Sequence, residues 1–136
     1  MGIEDIVLNW IKKADNDLKT AKDEMLTESP ATDTVCFHSQ QCVEKYLKSF
    51  LTYHQKRFGK THNIAELIKL CKEIDADFEK LYEIKAESLT LYATEVRYPE
   101  EFYFPSLEEA KEAINIAEKV KTFVIDKLRM KGFYKV

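Results

Sequence analysis

The sequence predicts an all-α fold, an up-and-down helical bundle of four long helices plus one short helix. Only three glycines and three prolines occur in 136 residues, too few turn formers for a many-stranded sandwich or barrel. Apolar residues recur at steps of three and four along the chain, the repeat of one helix face, and no strand-like run interrupts them. The connections are short, so consecutive helices are expected to lie side by side.

The first helix starts at Ile3 and carries Ile6, Val7, Trp10, Ile11, Ala14, Leu18, Ala21 and Met25 on one face. Lys12, Lys13, Asp15, Asp17, Lys19, Lys22 and Asp23 make the other face, read as solvated. Ser29-Pro30 ends this element and favours the start of the next. The second helix runs from about Thr32 to Lys56, with Val35, Cys36, Val43, Tyr46, Leu47, Phe50, Leu51 and His54 on its apolar stripe and Glu44, Lys45 and Lys48 off it. Phe58-Gly59 offers the backbone freedom of a helix end. Asn63 with Glu66 has the spacing of a capping box, and Ile64, Leu67, Ile68, Cys71 and Ile74 form the short third helix. A fourth helix is expected from Phe78 through Leu81, Tyr82, Leu89, Tyr92 and Ala93 to Val96, stopped near Arg97 by Pro99. Ser106 and Glu109 cap the last helix, which runs through Leu107, Ala110, Ile114, Ala117, Val120, Val124 and Leu128 to about Met130. The whole chain, residues 1–136, reads as one domain.

Composition removes several function classes. A formal net charge of -3 is far from that of a general nucleic-acid binder, so any nucleic-acid contact must use a local patch. No apolar stretch approaches the roughly 20 residues of a membrane-spanning helix, and Glu4 and Asp5 stand where a signal peptide is basic, so a cytoplasmic location is expected. Cys36, Cys42 and Cys71 contain no CxxC pair and read as free thiols. His38 and His54 lie sixteen residues apart, too far along one helix to share a metal, and the motifs of zinc proteases, calcium loops, phosphate loops and α/β-hydrolases are all missing. No metal and no cofactor are expected.

Three sets of residues are candidates for chemistry. His62 follows Arg57 by five residues in the turn Arg57-Phe58-Gly59-Lys60-Thr61-His62. A guanidinium holds phosphate by paired hydrogen bonds and an imidazole moves a proton near neutral pH. The same residues also suit a solvated turn that favours the preceding helix end. Arg97, at the expected end of the fourth helix, fits either a phosphate or a helix-end carbonyl. Tyr92, Tyr98 and Tyr103 offer base-stacking faces or core packing. The linker Tyr98 to Pro105 holds four aromatics in eight residues, so it is expected to be packed down or used.

Three segments together resemble the HEPN domain, the higher eukaryotes and prokaryotes nucleotide-binding family. They are Phe37-His-Ser-Gln-Gln-Cys-Val-Glu-Lys-Tyr-Leu-Lys-Ser-Phe50, Thr61-His-Asn-Ile-Ala-Glu-Leu67 and Tyr92-Ala-Thr-Glu-Val-Arg-Tyr-Pro99. The resemblance implies a small helical bundle, commonly a homodimer, often paired with a minimal nucleotidyltransferase as toxin and antitoxin. Active members are metal-independent RNases whose arginine is followed, after four to six residues, by a histidine. Arg97 matches that arginine, but Phe102, Tyr103 and Phe104 occupy the histidine's places.

The resemblance therefore implies a nucleotide- or RNA-binding module, weakly catalytic or non-catalytic, with Arg57, Arg97, Tyr92, Tyr98 and Tyr103 as binding residues. An active RNase using His62 with Arg97 or Arg57 is the alternative, and a purely structural dimeric module is a third. In an up-and-down path the second and fourth helices run parallel, which would bring His62 and Arg97 to one end of the bundle.

Overall fold

Residues 1–93 and 102–136 are described by the computed structural model, and every regular element among them is helical. Helix α1 (Ile3–Met25) buries Val7, Ile11, Ala14, Leu18 and Ala21, one unbroken row at steps of three and four. Helix α2 (Thr32–Tyr53) lies at the centre, packed by α1, by α3 (Ile64–Ile74), by a 3-10 turn at Ala86–Tyr92 and by α5 (Leu107–Met130). Because it is surrounded, α2 buries residues around most of its circumference, including Ser39, Gln40, Glu44, Lys48 and Ser49. No helix among the described residues is long and apolar enough to cross a membrane.

Hydrogen bonds and ion pairs fix the directions. Helix α1 runs antiparallel to α5, as Lys22–Glu118 at 3.7 Å, Asp15–Lys121 at 3.0 Å and Glu4–Lys135 at 3.4 Å step along the pair. The Tyr53 hydroxyl at the end of α2 donates to the Lys131 carbonyl at the end of α5 over 2.9 Å, so these two helices run parallel. Both finish in the same hydrogen-bonded pattern. Lys56 N–H reaches the Leu51 carbonyl and Gln55 N–H the Thr52 carbonyl, while Phe133 N–H reaches Leu128 and Gly132 N–H reaches Arg129. The left-handed position is Gln55 (φ 55°) in one and Gly132 (φ 103°) in the other. Helix α2 thus ends at Tyr53, three residues before the expected Lys56, and Gly59 serves the loop beyond it.

That loop, residues 54–63, folds back along α2. Phe58 lies beside Trp10 and Lys48, and His62 reaches the level of Gln40 and Glu44. Helix α3 then runs down alongside α2, with the Cys71 thiol near the Leu47 carbonyl and Glu73 3.5 Å from Lys56. Its start is capped as predicted, the Asn63 side chain accepting from Glu66 N–H at 3.0 Å.

The fourth segment departs from the single helix expected. It is a 3-10 turn (Ala76–Glu79), a four-residue α4 (Lys80–Glu83) and the 3-10 turn Ala86–Tyr92, broken at Lys85 in the left-handed region (φ 59°). Its buried residues are Phe78, Leu81, Ala86 and Leu89, and the five-residue step from Leu81 to Ala86 does not fit a continuous helix face. The turn at Lys85 resets the phase, and the three-residue repeat of a 3-10 helix then keeps Ala86 and Leu89 on the core. The segment climbs back up the bundle, from Asp75 and Asp77 held by Lys127 near the end of α5, to Tyr92 bonded to Glu109 near its start.

The expected parallel pairing of the second and fourth elements is therefore corrected. Helix α2 runs parallel to α5, and the fourth segment runs against both. The solvated face expected for α1 is corrected in part. Asp17 is buried, taking His38 Nδ1 at 2.8 Å and Lys45 Nζ at 2.5 Å, and Asp15 accepts the hydroxyl of the fully buried Tyr46.

Candidate functional site

A polar row, Gln40, Glu44 and Lys48, occupies successive turns on one side of α2 and is sealed beneath the returning loop. Each polar atom of the row finds a partner, as buried polar groups must. Glu44 Oε2 accepts from Lys48 Nζ at 2.9 Å, and its Oε1 accepts from Gln40 Nε2 at 3.0 Å. The same Oε1 lies 3.0 Å from His62 Nδ1. Gln40 also holds the loop itself, donating to the His62 carbonyl at 3.3 Å, while its own oxygen accepts from Gln41 at 2.7 Å. Burial pushes the Glu44 carboxyl up, but hydrogen bonds from Lys48, Gln40 and His62 outweigh it and hold the group below the ordinary carboxylate range.

The lid over this row is aromatic. Lys48 Nζ lies 5.7 Å from the Trp10 ring centre and 5.5 Å from that of Phe58, within cation–π distance of both. Trp10 and Phe58 meet edge to face at 6.2 Å. The carboxylate is thus shut in, with 4% of its side chain exposed, while the His62 side chain is 58% exposed. Nδ1 faces the buried carboxylate, and Nε2 is bonded by no described residue.

A second cluster gathers at the start of α5. The hydroxyls of Tyr92 and Tyr103 both donate to the Glu109 carboxylate, which is presented there because Ser106 accepts from Glu109 N–H at 3.0 Å. The two tyrosine hydroxyls, Tyr103 first, hold Glu109 below its ordinary range. Burial and then the Glu109 bond push the Tyr92 hydroxyl up. Phe102, Tyr103 and Phe104 present half or more of their surface to solvent, so the described part of the aromatic linker is not packed away. One hydrogen bond links this cluster to His62: Ile64 N–H, two residues beyond the histidine, donates to Thr90 Oγ1, two residues before Tyr92, at 3.0 Å.

Of the residues singled out from the sequence, His62 sits on Glu44, and Tyr92 and Tyr103 converge on Glu109. Arg57 is exposed on the loop and makes no hydrogen bond or ion pair with the described residues. Arg97 and Tyr98 lie outside the described residues. His62 reaches the Thr90 end of the bundle because the loop 54–63 carries it there.

Gln40, Glu44 and Lys48 were missed as site residues, and reading Glu44 and Lys48 as off the buried stripe is corrected, since they are 3% and 5% exposed. Their four-residue spacing, which stacks them on one face, was the available signal. Among the described residues no three His, Cys, Asp or Glu side chains gather as metal ligands.

Comparison with known proteins agrees with this architecture. The model of the HEPN domain family matches residues 7–128. A protein of Methanocaldococcus jannaschii named "Putative toxin MJ1304" is 34% identical over 140 residues, covering 90% of each chain. The crystal structure of an archaeal HEPN homologue superposes with a TM-score of 0.69 at 27% identity, over 90% of this chain and 97% of that one. With most of its length matched by the family model, and with a similar fold in a family member, this chain belongs to the HEPN domain family.

Proposed function

We propose that this protein is a nucleotide- or RNA-binding module, weakly catalytic or non-catalytic, that pairs with a minimal nucleotidyltransferase in a toxin–antitoxin-like couple. On this reading residues 1–136 act as one domain, in the cytoplasm and as a homodimer, without metal or cofactor. Family membership and the name of the archaeal relative support the general class.

The observation that carries the reading is the open imidazole of His62, anchored at Nδ1, close along the chain to the Thr90 bond that leads to Tyr92 and Tyr103. Glu109 disfavours phosphate at the tyrosines but leaves the exposed Tyr103 ring for a base. Phosphate then falls to Arg97 or Arg57, with Tyr98 a further stacking residue.

The test is fluorescence anisotropy of a short single-stranded RNA at several salt concentrations. The parent is expected to bind. Tyr103→Ala should weaken binding by about 1–3 kcal/mol, the worth of one base–aromatic stack. Arg97→Ala should lower the salt slope by about one unit. A parent that binds neither RNA nor nucleotide overturns the proposal in favour of a structural dimeric module.

The Glu44–His62 contact favours a second reading, metal-independent RNA cleavage by His62 with Arg97 or Arg57. Cleavage in the presence of chelator, reduced by about two to four powers of ten in His62→Ala, would establish it. Equal cleavage by parent and variant would reject it.

A further inference from the structure

We infer that Glu44 is a positioning residue that sets the tautomer of His62, and that the Nε2 lone pair thus presented accepts a hydrogen bond from a ribose 2′-hydroxyl. The ligand class is then ribonucleotide rather than deoxyribonucleotide. The ligand half rests on the binding function proposed above, whereas the Glu44 half stands without it.

The argument starts from the donor inventory. Lys48, Gln40 and His62 surround the Glu44 carboxylate at 2.9, 3.0 and 3.0 Å and hold it ionised. An ionised carboxylate only accepts hydrogen bonds, so Nδ1 of neutral His62 must be the protonated nitrogen. Histidine without a partner carries its proton mostly on Nε2, and the buried carboxylate reverses that. Nε2 becomes an acceptor on a ring that is 58% exposed. Gln40 fixes the arrangement from two directions, bonding the carboxylate and the His62 carbonyl with one amide nitrogen.

A second assembly of the same kind provides a comparison within the molecule. Asp17 takes His38 Nδ1 at 2.8 Å and Lys45 Nζ at 2.5 Å, but there only 28% of the histidine side chain is exposed. Both histidines are anchored by a lysine-paired carboxylate, and His62 has the more open ring. A 2′-hydroxyl is the donor that separates RNA from DNA, so an acceptor nitrogen beside a nucleotide discriminates between the two.

The experiment has two readouts on the full chain. The first is a two-bond proton–nitrogen correlation spectrum of nitrogen-labelled protein near neutral pH, assigned with His38→Gln, His54→Gln and His62→Gln. His62 is expected to show the Nδ1–H pattern in the parent and in Lys48→Met. It should revert to the Nε2–H pattern in Glu44→Met/Lys48→Met, a pair chosen to leave no buried charge unpaired. An Nε2–H pattern in the parent, or no change in the double variant, overturns the Glu44 role.

The second readout is affinity for RNA and DNA strands of one sequence. One hydrogen bond corresponds to roughly a two- to tenfold preference for RNA. That preference should vanish in His62→Ala and in the double variant. Equal binding of both strands by the parent overturns the hydroxyl contact alone, whereas a parent that binds neither overturns the binding function and the hydroxyl contact with it. The tautomer pattern judges Glu44 in every case.

Discussion

The hydroxyl of Thr90 accepts a hydrogen bond from the backbone N–H of Ile64 at 3.0 Å, across 26 residues of chain. Ile64 opens α3, where backbone N–H groups have no partner within the helix, so Thr90 satisfies a group that its own helix cannot. The contact pins the broken fourth segment to the His62 end of the bundle.

Thr90→Val keeps the shape of the side chain and deletes the acceptor. It is expected to destabilise the fold by about 1–2 kcal/mol, seen as a lower urea midpoint at unchanged slope. A variant as stable as the parent would mean that water replaces Thr90 without loss.

The buried pair Glu44–Lys48 is expected to show strong non-additivity. Removing either partner alone leaves a charge under the Trp10–Phe58 lid and should cost about 3–5 kcal/mol. Glu44→Met/Lys48→Met removes both charges at similar volume and should cost less than either Glu44→Ala or Lys48→Ala. Urea denaturation of the three variants checks this, and simple addition of the single effects would refute the pairing.

His54 predicts a pH dependence. Burial, helped by the Lys131 charge, lowers its pKa below the ordinary histidine value of 6.5, and its Nε2 is buried without a partner. The unfolded chain then binds a proton that the folded chain resists, so stability falls as pH drops below 6.5 toward the lower folded value. His54→Phe, packing against Phe50 and Tyr53, should flatten the fall in melting temperature over that window. A parallel pH profile in parent and variant would assign the effect elsewhere.

The depressed carboxyls of Glu44, Glu109 and Asp75 act in a lower window. Burial opposes the shift at Glu44 and Asp75, but the hydrogen bonds and nearby lysines win, whereas at Glu109 the tyrosine hydroxyls lead. Each contributes stability that is present above the unfolded carboxylate range, about 4, and lost as pH falls through the lower folded value. Calorimetry across that range should show a shallower acid loss in Glu44→Met/Lys48→Met than in the parent.

The three thiols are expected to stay silent toward a chromogenic disulfide reagent in the native protein. Burial pushes Cys36 up to about 11 and raises Cys42 and Cys71 further, and only the thiolate attacks. All three should react once denaturant opens the bundle. Fast native labelling of Cys42 or Cys71 would contradict the closed core.

The apolar rows of α1, α3 and α5 were legible because a helix face is a local property. Val7, Ile11, Ala14, Leu18 and Ala21 declare it by spacing alone, and Asn63 and Ser106 cap where their types and the following glutamates indicate. The fourth segment was not legible in the same way. Its apolar residues are dense enough for a helix, but the step from Leu81 to Ala86 breaks phase, and the left-handed Lys85 carries no glycine to signal it. His62 was legible as a candidate by residue type, whereas the carboxylate that orients it was not.

By itself the sequence determined that this chain is a helical bundle with His62 in the turn before a short helix, since periodicity and caps act over a few residues. Only the tertiary structure decided what lies behind that histidine. A polar residue in a helical pattern reads as facing water, and on α2 that reading fails because helices and a returning loop cover the helix on several sides. Burial of Gln40, Glu44 and Lys48 is a consequence of long-range packing, and their mutual hydrogen bonds make it tolerable.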